Sequence, residues 1–186
     1  MKYLSAILLF SFIYPLHSYA SEYIASVFLN DAITHPVCIY KSSISSKIIG
    51  EIRESKWLEN WHEVHVIKIR KKRFYAVVED IGSGSAIKGW IRKEDCAVYL
   101  NGAYVDGEKY LLRFYNNPQD NAPAVILTGK YSDGGFDDLK SLQVIVTDVK
   151  IADTICWMRI RLEFKTGETK ELWTTDFCPN IYDSCN

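Results

Sequence analysis

Five cysteines and four histidines are the residues in this chain that could carry covalent chemistry or hold a metal. The cysteines are Cys38, Cys96, Cys156, Cys178 and Cys185, and three histidines, His35, His62 and His65, lie beyond the first twenty residues. A thiol beside an imidazole is what a nucleophilic enzyme needs, because the base generates the thiolate. Cys156 is the candidate unpaired thiol, but Trp157 beside it at a strand start favours a buried or bridged sulfur. Zinc asks for two close Cys/His pairs, and C-x-x-C spacing does not occur. Gly82-Ser83-Gly84-Ser85 does not form the G-x-S-x-G nucleophile elbow. The acidic stretch from Ser132 to Asp138 lacks the alternating ligands and terminal Glu of a calcium loop. These residues therefore point to no catalytic group, no metal and no cofactor.

The compartment decides how the cysteines read. Lys2, an apolar run from Tyr3 to Pro15 and Ser18-Tyr19-Ala20 give the order of a secretory signal peptide, with cleavage expected after Ala20. The apolar run is too short for an anchored span, and no run of 18 apolar residues follows it. The expectation is a secreted or periplasmic chain with no transmembrane anchor after cleavage, in which disulfides are the default state of cysteine. Cys178 and Cys185 are the best pair, because turn-prone residues close the short loop between them. The formal charge of -1 argues against nucleic acid as a partner.

Two further groups of residues could bind rather than react. Lys68 and the run Arg70-Lys71-Lys72-Arg73 form a basic cluster, with Lys71, Lys72 and Arg73 at an expected hairpin tip. It could meet anionic envelope polymers, although a solvated turn that discourages edge pairing explains it as well. Tyr40, Trp57, Trp61, Tyr75 and Trp90, with Tyr99 and Trp173, are the aromatics that could line a peptide groove or fill a thin core.

The elements that must position these residues read as strands. Short β-prone runs cover 23–29, 37–40, 61–69, 73–79, 89–91 and 97–100. A second series covers 111–115, 124–127, 142–149, 157–164 and 170–174, and no segment beyond the leader shows a sustained helical period. The two series match. Cys38-Ile39-Tyr40 corresponds to Arg113-Phe114-Tyr115, Ile48-Ile49 to Val125-Ile126, and Gly89-Trp90-Ile91 to Leu172-Trp173-Thr174. Phe74 to Val77 aligns with Trp157 to Ile160. The period is about 75–80 residues, which marks an internal duplication. The expected organisation is a leader at 1–20, a first unit at 21–100, a linker at 101–109 and a second unit at 110–186.

Val37 to Ser43, then Ser45-Ser46-Lys47-Ile48-Ile49-Gly50, then Gly89-Trp90-Ile91, resemble the bacterial SH3-like (SH3b) domain. The second unit resembles it through Leu112 to Tyr115, Val125-Ile126, Trp157 and Trp173, and the tail from Cys178 to Asn186 resembles secreted SH3-domain proteins of the Bacteroides group. The resemblance implies an all-β chain of two tandem small SH3-like barrels after a cleaved signal peptide. Adjacent first and last strands in such a barrel imply a second bridge, Cys38–Cys96. Domains of this family often accompany cell-wall hydrolases, and no hydrolase motif is present here. The expected function is a non-catalytic binding module for a peptide, a peptidoglycan stem or an envelope protein. The alternatives are a secreted Cys/His enzyme and an inhibitor or immunity-type partner of another secreted protein.

Overall fold

In strands, apolar residues at every second position give one face to the core and the other to solvent. The computed structural model follows that rule, and it describes residues 23–30, 33, 35–52, 62–80, 84–106, 109–130 and 136–178. The leader, Trp57, Trp61 and Cys185 lie outside the described residues. The first half forms β1 (Ala25–Leu29), β2 (Val37–Tyr40), β3 (Ile48–Ile52), β4 (His62–Ile69), β5 (Arg73–Asp80), β6 (Ser85–Arg92) and β7 (Cys96–Leu100). A short 3-10 turn, Lys93–Asp95, precedes β7. The second half forms β8 (Ala103–Asp106), β9 (Lys109–Phe114), β10 (Val125–Lys130), β11 (Gln143–Ala152), β12 (Ile155–Glu163), β13 (Thr169–Thr174) and β14 (Phe177–Cys178). The described residues are all-β, as the sequence pattern requires, and every ladder among them is antiparallel.

One large sheet runs in the order β13-β12-β11-β7-β1-β4-β5-β6-β2-β3, with β14 also paired to β7. The strands β10-β9-β8 make a smaller sheet, which an isolated bridge between Tyr115 and Trp173 ties to β13. The expectation of two closed barrels is not met among the described residues, where the large sheet stays open at β3 and β13. The reason lies in β7. Its first residues pair with β1 (Phe28↔Ala97, Leu29↔Cys96) and its last with β14 (Phe177↔Leu100, Cys178↔Tyr99). It also pairs with β11 through Tyr99, Val98 and Ala97. A strand hydrogen-bonded into both halves joins their sheets. The buried core is likewise continuous, from Val27, Val64 and Phe74 to Val146, Met158 and Ile160.

The pairing pattern repeats along the chain. Val27↔Val64 and Phe28↔Glu63 on β1–β4 recur as Val98↔Val144 and Tyr99↔Gln143 on β7–β11. A register irregularity lies between Val66 and Lys68 on β4, and another between Val146 and Asp148 on β11. The Asp148 carboxylate accepts from Lys93 Nζ at 2.7 Å. Lys93 is only 8% exposed and lies over the Phe74 ring, so this ion pair pins the turn before β7 to β11.

Candidate functional site: an aromatic and cationic face beside a small cleft

Strand alternation turns Phe74, Ala76, Val78 and Ile91 inward and Tyr75 and Trp90 to the other face, while Tyr40, at a register irregularity on β2, is 5% exposed beneath the Arg73 guanidinium. The register then gathers them. Trp90 stands opposite Tyr75 across β5–β6 and opposite Tyr40 across β6–β2. The Tyr75 and Trp90 rings meet at 5.2 Å with a 45° tilt. Gly89 makes the close approach of β2 possible, because a Cβ there would sit 2.4 Å from Ile39 Cγ2. The Gly-Trp pair thus has a steric cause: the glycine admits the neighbouring strand, and the tryptophan takes the outer face.

Cations surround these rings. The Arg73 guanidinium lies 3.7 Å from the Tyr40 ring centroid, Arg92 lies 5.7 Å from it, and Lys88 lies 5.8 Å from the Tyr75 centroid. Such contacts are attractive because the ring face carries negative charge density. Arg73 is also structural, since its Nη1 donates to the Ser42 and Ser45 carbonyls at 2.8 and 2.7 Å. Of the expected basic patch, Lys71 and Lys72 are exposed at the β4–β5 turn, while Arg73 is half-buried in this clamp. Burial disfavours the charge on Arg92, but a hydrogen bond and charge interaction with Tyr40, aided by Asp95 and Glu94, hold its pKa above the ordinary arginine value.

A cleft of about 210 Å³ opens beside Tyr40, lined by His35, Pro36, Cys38, Tyr40, Arg92 and Asp95. Asp95 is 2% exposed. Burial raises its pKa, Arg92 and His35 partly reverse that, and Glu94 adds to it. Sequence reasoning passed over Asp95, because a lone aspartate before a strand carries no motif.

The cysteines correct one expectation. Cys38, Cys96 and Cys156 are free thiols, so no Cys38–Cys96 bridge forms. Cys38 lies between the inward residues Val37 and Ile39 and faces out, while Cys96 is fully buried. The strand beside Cys96 is β1, which places Leu29 opposite it, rather than β2. Cys178 is disulfide-bonded, and Cys185, its expected partner, lies outside the described residues.

The Cys156–His convergence is absent among the described residues. Cys156 stands opposite Ile151 on β11, and β11, β7 and β1 separate its strand from β4, which carries His62 and His65. Burial pushes the Cys156 thiol up to about 11, which leaves it protonated at neutral pH. Burial, reinforced by Asp95, also raises the Cys96 thiol well above its ordinary value. His65 instead belongs to a cross-strand group that the sequence did not reveal. Its Nδ1 lies 3.0 Å from Ser26 Oγ, and its Nε2 lies 3.4 Å from Glu63 and 3.6 Å from Glu79. Its ring stacks on Tyr23 at 4.7 Å. Ser26 and His65 are directly opposite in the β1–β4 register, so knowing the pairing would have brought them together.

In the second half two arginines on the comparable face share one carboxylate. Trp173 stands opposite Arg159 and Tyr115, but Arg159 and Arg161 pair with Glu171 at 3.5 and 3.3 Å. On β5 and β6, Tyr75 and Trp90 are half-buried beside Lys88, while Arg92 is paired with Glu94 at 3.4 Å. Comparison with known proteins adds no relative: no family model, no curated protein and no solved structure matches this chain.

Proposed function

We propose that this chain is a non-catalytic binding module of the periplasm or cell exterior, built from two SH3-like units behind a cleaved signal peptide. Its outer face around Trp90 takes a carboxylate-bearing peptide, a peptidoglycan stem or a segment of an envelope protein. The observation that carries the reading is the register that brings Tyr40, Tyr75 and Trp90 together beside Lys88 and Arg92. Rigid flat side chains cost little entropy to engage, and the cations supply attraction for carboxylates. Salt should weaken that attraction where the charges are exposed. A disulfide joining Cys178 and Cys185 closes the C-terminal tail in this reading, which non-reducing peptide mapping tests directly. The protonated Cys156 thiol, remote from the histidines of β4, argues against the Cys/His enzyme.

The test is binding of the mature chain to purified wall fragments and to solubilised envelope proteins, with Trp90→Ala and Trp90→Phe beside the wild type. Binding lost in Trp90→Ala and partly kept in Trp90→Phe, with both variants folded, supports the face. Undiminished binding in a folded Trp90→Ala removes it.

A further inference from the structure

The cleft at Asp95 has a counterpart in the second half of the chain, where a side chain fills it. Tyr115 bridges to Trp173 as Tyr40 pairs with Trp90, so Arg113 and Cys38, each two residues before its tyrosine, hold equivalent places. Leu100 stands opposite Phe177 as Leu29 stands opposite Cys96, so Asp176 and Asp95, each one residue earlier, are equivalent too. Their backbone carbonyls confirm the match: Asp176 O accepts from Asn101 N at 3.1 Å, and Asp95 O accepts from Asn30 N at 3.0 Å.

In the second half the arginine closes on the carboxylate. Arg113 Nε donates to Asp176 Oδ2 at 3.1 Å, Nη2 donates to Oδ1 at 2.9 Å, and the Arg113 amide donates to Oδ2 at 2.7 Å. This two-pronged arrangement is the strong form of a charge-assisted hydrogen bond. It makes a 7% exposed aspartate tolerable. In the first half Cys38 is too short to do the same. Asp95 is buried more deeply than Asp176 and lines the cleft, and among the described residues no side chain forms with it the two-pronged contact that Arg113 forms with Asp176. Arg92 acts on Asp95 through charge attraction alone, with its Nη1 turned to Glu94 at 3.4 Å. A deeply buried carboxylate held only by charge attraction costs free energy that a ligand with a matched donor can recover.

We propose that the cleft at Asp95 receives a guanidinium or ammonium group from a partner peptide, as Asp176 receives Arg113 within the chain. The cleft is bordered by Tyr40 and Arg92, so a peptide seated on the Trp90 face could place a cationic side chain there and a carboxylate on Arg92. The inference deepens the binding-module reading by naming the chemistry of one bound group. It is tested apart from wall recognition.

The probes are N-acetyl-arginine amide and N-acetyl-lysine amide, with N-acetyl-norleucine amide as the uncharged control. They are titrated into the full mature chain while amide NMR shifts are followed. Saturable shifts centred on residues 35–38 and 92–96 are expected for the cationic probes and not for norleucine; the stronger of the two cations names the preferred head group. Asp95→Asn should weaken binding about tenfold or more, by the loss of a charge-assisted contact. Cys38→Arg should abolish binding, because the introduced side chain supplies from within the group that the ligand brings. If Cys38→Arg fails to fold, Asp95→Asn decides alone. Equal binding by Asp95→Asn, equal binding of norleucine amide, or no shift with either cation overturns the proposal. Trp90→Ala separates the two readings: it should keep the arginine-amide shifts even where it loses wall fragments.

Discussion

Gly89, Arg73 and Asp95 each hold a position that a different side chain would disturb in a distinct way. At Gly89 the added methyl group of Gly89→Ala meets Ile39 at 2.4 Å, and Ile39 is fully buried and cannot retreat. Overpacking of this kind costs about 1–3 kcal/mol, which thermal or urea unfolding of the variant should show; a neutral effect would mean that β2 can move away from β6. Arg73→Lys removes the planar fork that serves two carbonyls and the Tyr40 ring together. It should therefore destabilise the chain and loosen residues 42–45 in hydrogen exchange, although the charge is kept. Asp95 makes a pH prediction. Its native pKa is raised, so the native state holds the proton after the unfolded chain has lost it. Stability is therefore unaffected below the ordinary aspartate value of about 3.9 and falls as the pH rises through the native value. Asp95→Asn should gain on the wild type over that range and then run parallel to it. A wild type that gains on the variant with rising pH would contradict the desolvation argument.

Between strands, what the sequence revealed and what it concealed divide along register. Alternation in 61–69 and 73–79 was enough to place β4 and β5, and Tyr40 pairs with Trp90 as Tyr115 bridges to Trp173. The aromatic face was legible through Tyr40, Tyr75 and Trp90 for this reason. The Cys38–Cys96 bridge failed because β1 takes the place beside β7, a choice of neighbour that strand propensity cannot express. Asp95 and the Ser26–His65 group were invisible for a related reason: each gains its meaning from a partner about 40 or more residues away in sequence. The Lys93–Asp148 contact is of the same kind, and it tests the junction between elements. Asp148→Ala leaves a nearly buried lysine without its counter-ion, which costs up to about 3 kcal/mol. Lys93→Met should cost less, since it removes the buried charge itself. If the two variants cost the same, the pair contributes no more than its packing.

At the scale of the whole molecule, β7 makes the halves depend on one another. Cutting within residues 101–109 assigns β7 to the first half and strips β11 of its neighbour, while the first half loses the strands that cover the far side of β7. The full chain should unfold in a single transition, and a fragment of residues 109–186 made alone should lack the dispersed amide spectrum of a folded domain; a well-dispersed spectrum would show the second half to be self-sufficient. The same asymmetry separates the two outer faces. Arg159 and Arg161 beside Trp173 share Glu171, while Lys88 and Arg92 border the Trp90 face, and the proposed recognition is placed on that face of the first half. Calorimetric titration of wall stem peptides into the mature wild-type chain and into Trp90→Ala, both shown folded by their melting curves, tests that assignment most directly. Saturable binding by the wild type that weakens with salt and is lost in the variant is the expected result. Absence of binding to the wild type, or equal binding to both, would contradict it.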